Sequence, residues 1–155
     1  QITDLQIVSL DREPDMTNIA EKNIAEARLT HRITTVIADV CRIPFDDSYF
    51  DLIVSRGSVF FWEDRPAALR ELYRALKLGG VIYCGGGMGN EAIHREADEI
   101  IMTDERFKDM RDFWQQRKRR LGKENEIAFA EALNKAGLKG NILKDGGGIW
   151  IEIIK

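Results

Sequence analysis

The succession of a strand, a helix and a second strand between Phe50 and Cys84 constrains this chain more than any other feature. Phe50 to Ser55 is an apolar run that reads as a buried strand. Arg56-Gly57-Ser58 turns away from it, and Val59 to Trp62 is a dense apolar patch. Asp64 stands where an N-cap is wanted, with Pro66 in the first turn of the helix that follows. Leu69, Leu72, Tyr73 and Leu76 make that helix's apolar side, and Gly79-Gly80 is expected to stop it. A second strand is expected from Val81 to Cys84. Such a unit is a right-handed crossover, so it builds a parallel sheet whose ligands lie at the carboxyl edge of the strands.

The rest of the chain repeats the theme. Leu5 to Leu10 is a short strand ending at Asp11. Glu13-Pro14-Asp15 opens a helix whose expected buried stripe is Met16, Ile19, Ala20, Ile24 and Ala27. Ile33 to Ile37 is a β-branched strand followed by Asp39. Two strands finishing in aspartates at one edge are informative. A carboxylate there can accept from both hydroxyls of a ribose, or from an adenine amino group beside a backbone amide such as that of Val40. The plainer alternatives are a helix-capping aspartate at Asp11 and an Asx-turn at Asp39.

Gly85-Gly86-Gly87-Met88-Gly89-Asn90 lacks the spacing of a dinucleotide loop and reads as a mobile rim. Glu91 to Lys123 is expected to be helical and charged, with apolar stripes Ile93, Ala97, Ile100, Ile101 and Phe107, Met110, Phe113, Trp114, Leu121. A last helix with Ile127, Ala130, Leu133 and Ala136 inward ends at Gly137. Asn141 to Lys144 and Ile149 to Ile154 flank a glycine-rich turn and predict a hairpin with Trp150 in the core.

Composition narrows the partners. The 155 residues carry a net charge of −3 with both signs interspersed, which argues against a nucleic-acid partner. No run is long and apolar enough to span a membrane. Two cysteines, Cys41 and Cys84, form no disulfide framework, so a reducing cytoplasm is expected. A thiol pair for a soft metalloid is thin evidence beside two ordinary buried cysteines.

Asp11 after a strand, Ala38-Asp39-Val40, Pro44 to Arg56 and Ala75 to Gly80 together resemble a class I S-adenosylmethionine-dependent methyltransferase of the small-molecule type. The resemblance runs from about Leu5 to Tyr83. It implies a Rossmann-like, doubly wound α/β fold with a mostly parallel sheet and a C-terminal antiparallel hairpin. It implies one domain over 1–155 with a helical substrate-side insertion at about 90–122. S-adenosylmethionine is the implied cofactor, and Asp11, Arg12, Asp39, Val40 and Arg56 are the implied cofactor contacts. Ser58, Phe61, Trp62 and Met88 fall on the implied substrate side, facing a small-molecule methyl acceptor. No metal and no catalytic base are implied.

Two departures from the family stand out. Relatives carry a glycine-rich loop before the residue matching Asp11, and their first strand lies between those at Leu5 and Phe50. The expectation is therefore that a βαβ-sized segment, roughly 30 residues, is absent ahead of Gln1. Relatives also often place histidines where this chain has Phe60-Phe61. A non-catalytic scaffold is the alternative reading. A lesser one is an NADP-dependent short-chain dehydrogenase, from Tyr73-x-x-x-Lys77 with Ser58 upstream.

Overall fold

The computed structural model describes residues 5–87, 90–120, 123–144 and 148–155. Its elements divide between two compact units, Gln1–Pro44 and Phe45–Lys155.

The first unit is a single βαβ crossover. Strand β1 (Ile7–Asp11) and strand β2 (Ile33–Ile37) pair in parallel, from Ile7 opposite Ile33 to Asp11 opposite Ile37. Helix α1 (Pro14–Glu26) connects them. Proline at its first position loses only an amide proton that would have no helical partner. None of the expected stripe is buried: Ala20 and Ile24 are half-buried, and Ala27 is exposed. Met16 and Ile19 are each about half exposed, and Thr17 is the buried residue of the helix. A two-stranded sheet is narrow, so one helix lying on it cannot bury a five-residue stripe.

The second unit holds a four-stranded sheet of order β3-β4-β6-β5. Strand β3 (Phe50–Arg56) runs parallel to β4 (Leu76–Gly87), and β6 (Gly148–Ile154) is antiparallel to both β4 and β5 (Asn141–Lys144). The expected C-terminal hairpin is therefore present; its turn lies outside the described residues. The mixed sheet with its helices is α/β and Rossmann-like, as the sequence implied.

Two helices cover one face of this sheet: α2 (Arg65–Ala75) and, counting forward past α3 (Glu91–Thr103) and α4 (Arg111–Arg120), α5 (Lys123–Ala136). Along β6 the inward residues Ile149, Ile151 and Ile153 are buried and alternate with half-buried or exposed ones. Ile82 and Cys84 of β4, Leu69 and Leu72 of α2, and Phe129 and Leu133 of α5 complete the core. The opposite face carries Leu52, Val54 and Ile154, each more than half exposed. Trp150 also lies on that side; it is half-buried and stacks on Tyr83 with ring centroids 4.8 Å apart, rather than entering the core.

Three expectations are corrected here. Helix α2 stops at Ala75, and Leu76 is already extended and fully buried, so β4 starts five residues early. Leu76 pairs with Phe50 and Val81 with Leu52, so residues 77–80 bulge out of the ladder. Gly79, at φ +79°, supports this bulge rather than a helix stop, and its amide donates to the Lys155 carbonyl at 2.8 Å. Gly85 to Gly87 are not a rim but the end of β4, paired with β6. A Cβ on Gly85 would sit 2.2 Å from the Ile149 carbonyl oxygen, so only glycine lets the two strands approach there.

The long helix expected from Glu91 to Lys123 is broken. Asp104 ends α3 and caps a 3-10 segment, Glu105–Met110, by accepting from the Arg106 amide at 2.9 Å. Trp114 and Ile101 are buried there, and the Trp114 indole N–H donates to Asp98 at 2.7 Å. Met110 and Phe113 stay largely exposed. In α5 the inward stripe is Phe129, Ala132 and Leu133, while Ile127 and Ala130 face outward. Gly137, at φ +71°, ends that helix as expected.

That shift of stripe is testable by urea unfolding of the purified chain. Phe129→Ala is expected to cost about 3–5 kcal/mol, as for a buried aromatic. Ile127→Ala is expected to change stability by no more than about 0.5 kcal/mol, as for a surface position. The reverse order would restore the stripe the sequence suggests.

Candidate functional site

The first unit places its two acids at one edge. β1 and β2 are parallel and adjacent, so their carboxyl ends coincide. Asp11 is the last residue of β1, and Asp39 lies two residues past the end of β2. The Ala38 amide donates to the Asp11 carbonyl at 3.0 Å, which carries the pairing past the strand end. Both acids are exposed.

Each carboxylate is oriented by its own loop. Asp11 Oδ1 accepts from the Glu13 amide at 2.9 Å, and Asp39 Oδ1 accepts from the Cys41 amide at 2.7 Å. These are Asx-turns, the plainer reading of Asp39; Asp11 does not cap α1, whose N-cap is Glu13. The turns do not exhaust the carboxylates, which can accept at both oxygens. The bond that fixes each side chain uses Oδ1, so Oδ2 remains for a ligand donor. Arg12, exposed beside Asp11, directs its Nε to Glu13 at 3.1 Å. Val40 is half-buried in the loop after Asp39.

The second unit has a site edge of its own, at the end of β3. Ser55 pairs with Cys84 and Arg56 with Gly85. Gly57 then turns the chain at φ +96°, a conformation costly for any residue with a Cβ, and its amide donates to the Gly85 carbonyl at 2.7 Å. The Arg56 guanidinium donates to the Gly87 carbonyl at 3.3 Å, tying the ends of β3 and β4 together. A 3-10 turn, Ser58–Phe61, follows. Ser58 and Ser55 hydroxyl oxygens lie 2.6 Å apart.

The aromatic patch splits on this turn. Val59 is fully buried. Phe60 packs inward, 5.7 Å between ring centroids from Phe129. A Cβ on Gly86 would meet the Phe60 ring at 2.7 Å, so this glycine makes room for it. Phe61 is 65% exposed, and Trp62 is half-buried. Arg65 anchors the turn from α2, donating to the Val59 and Phe60 carbonyls, each at 3.0 Å. The sequence reading did not single out Arg65; an arginine between the capping Asp64 and Pro66, three residues past the apolar patch, was the available signal. Asp64 accepts from the Ala67 amide at 2.9 Å and is the expected N-cap. Met88 lies outside the described residues.

Two rival readings meet the geometry. Tyr73 is on α2 and Lys77 is past its end in β4, so the Tyr-x-x-x-Lys pair does not share a helix. Lys77 instead binds both Asp51 oxygens at 2.9 Å, and the Tyr73 ring lies under Lys155. The dehydrogenase reading fails on that geometry. Cys84 is buried, and burial pushes its thiol up to about 12, against a smaller opposite pull from the Ser55 backbone. Among the described residues no group of three or more His, Cys, Asp or Glu side chains could hold a metal ion.

An α/β fold with two acids at the carboxyl edge of a parallel crossover puts them where open sheets of this class bind ligands. Comparison with known proteins makes the class specific. Residues 2–84, more than half of the chain, match the family model described as "Methyltransferase domain". A solved structure from Methanococcus maripaludis, assigned by its name to the S-adenosyl-L-methionine-dependent methyltransferases, is 42% identical with a TM-score of 0.86. It matches over 99% of this chain and 68% of its own. The chain belongs to the class I S-adenosylmethionine-dependent methyltransferase family. Among curated relatives, the uncharacterised Escherichia coli K12 protein YafE is 40% identical over 74 residues, 48% of this chain and 35% of that protein. The ubiquinone/menaquinone biosynthesis C-methyltransferase UbiE of Geobacter sp. M21 is 35% identical over 78 residues, 50% of this chain and 33% of that protein. The match thus spans about a third of the length of these curated relatives.

The buried thiol gives a check on this edge. A thiol at 12 is almost wholly protonated at pH 8, and the thiolate is the nucleophile. Iodoacetamide at pH 8 should therefore leave Cys84 unmodified in the native protein and label it in urea, read by peptide mass mapping. Equal labelling in both would show that the strand end is open to solvent.

Proposed function

We propose that the protein is an enzyme that transfers a methyl group from S-adenosylmethionine to a small-molecule acceptor. The observation that carries this reading is the pair Asp11 and Asp39, set at one edge by the parallel register of β1 and β2 in a chain of the methyltransferase family. The acids fit the cofactor's chemistry. A ribose offers two hydroxyl donors to the Asp11 carboxylate, with Arg12 beside it. An adenine amino group offers a donor to Asp39, and the Val40 amide donates to the ring. Arg56, at the end of β3, serves the methionine end.

Bound S-adenosylmethionine supplies a methyl group already activated on a sulfonium sulfur. The protein's own task is then to hold the acceptor in line with it and to keep water out. The reactive electrophile comes with the cofactor, so no catalytic base is assigned. Ser58, Phe61, Trp62 and Met88 are assigned to the acceptor side. The helical segment at about 90–122 is assigned as a substrate-side insertion within one methyltransferase domain over 1–155. Among the described residues no helix is long and apolar enough to cross a membrane. The mixed-sign charge and the presence of only two cysteines support reading the enzyme as cytoplasmic, with neither nucleic-acid nor membrane partners.

Titration calorimetry with S-adenosylhomocysteine tests the proposal. Asp11→Ala and Asp39→Ala are each expected to weaken binding by about 1–3 kcal/mol, because ligand donors lose a charged acceptor. NADPH should give no heat. Unchanged affinity in both variants would remove the acids from the site.

A further inference from the structure

The turn that follows β3 is closed at its far end by one side chain. The last carbonyls of a helix lack partners inside it. In the 3-10 turn Ser58–Phe61, two of them meet Arg65, the half-buried first residue of α2. Its Nε donates to the Val59 carbonyl and its Nη2 to the Phe60 carbonyl, each at 3.0 Å. Both sides of the turn are complete without this side chain. Asp64 already caps α2, and Pro66 stands in its first turn. Val59 is fully buried, and Phe60 lies against Phe129 and Gly86. Such apolar packing fixes where the turn sits, but it is non-directional. A guanidinium is a planar fork that takes two acceptors in a fixed geometry, so it sets which way the peptide planes face. That matters because the turn hangs from Gly57, at φ +96°, a residue whose backbone rotates with little steric resistance. Arg56, one residue earlier, reaches the Gly87 carbonyl over a longer 3.3 Å.

We propose that Arg65 is a positioning residue for the cofactor: by fixing the Val59 and Phe60 carbonyls, it holds Arg56 and Gly57 where they receive the amino-acid end of S-adenosylmethionine. This rests on the methyl-transfer reading above, which assigns Arg56 to that end, and adds the residue that sets its place. Arg65 acts through the backbone of the turn and not by contact with the cofactor. Lysine is only a partial substitute, because an ammonium is a point charge without the fork.

The test is titration calorimetry of the purified protein with two ligands. S-adenosylhomocysteine carries the amino-acid end; methylthioadenosine shares its adenosine and sulfur and lacks that end. The wild type is expected to bind S-adenosylhomocysteine at least about tenfold tighter. Arg65→Met, which keeps apolar length without donors, should lower that preference to about threefold or less. It should leave methylthioadenosine within about twofold of wild type, which also reports that the variant is folded. Arg65→Lys should fall between the two. A second measurement needs no variant: amide hydrogen exchange in the wild-type segment 57–63 should slow with S-adenosylhomocysteine and stay unchanged with methylthioadenosine. A wild type without the preference, an Arg65→Met variant that keeps it or loses both ligands in proportion, or a segment that exchanges alike with both ligands would overturn the inference. A wild type that binds neither ligand would instead strike the methyl-transfer reading.

Discussion

Parallel pairing is the interaction on which the rest of this structure depends. Strands that run the same way need a crossover, and the crossover returns the chain to the same end of the sheet each time. The loops that follow the strands therefore collect at one edge. In the first unit this brings Asp11 and Asp39 to adjacent strand ends although 28 residues separate them in sequence. In the second it brings the turn after β3 to the end of β4, where Arg56 and Gly57 meet Gly85 to Gly87. Neither site edge is made by a local motif. Each is a consequence of register.

The glycines and the buried residues serve that edge. Gly85 lets β6 close on β4, and Gly86 leaves room for Phe60. Phe60 in turn locks the 3-10 turn onto Phe129 of α5, in the middle of the core. Removing the apolar contact between α5 and the sheet would thus reach the turn that displays Ser58 and Phe61. Away from this edge, Arg74 bridges Glu71, Asp47 and the Phe45 carbonyl and fastens the loop before β3 to α2. The pair with exposed Asp47 is worth little by itself, whereas the pair with Glu71 is part-buried.

Much of this was legible in the sequence because strands and caps leave local marks. The β-branched run Ile33 to Ile37 gave β2 with its observed limits, and Asp64 with Pro66 gave the start of α2. What was not legible depended on competition between local and distant demands. Leu76 continues the helical spacing of Leu69 and Leu72, but its full burial comes from pairing with Phe50, so the strand claimed it. In α5 both Ile127-Ala130-Leu133 and Phe129-Ala132-Leu133 satisfy a helical period, and only the tertiary contact between Phe60 and Phe129 decides between them. The acids were visible as strand-ending aspartates. The Asx-turn at Asp39 was visible as the rival reading, whereas at Asp11 the sequence offered a helix cap and the structure shows an Asx-turn.

The most direct measurement is a crystal structure of the protein grown with S-adenosylhomocysteine. The account predicts the ribose hydroxyls within hydrogen-bonding distance of the Asp11 carboxylate and the adenine amino group within the same distance of Asp39. It also predicts both Asx-turns unchanged. A nucleoside bound elsewhere, with Asp11 and Asp39 facing only solvent, would contradict it.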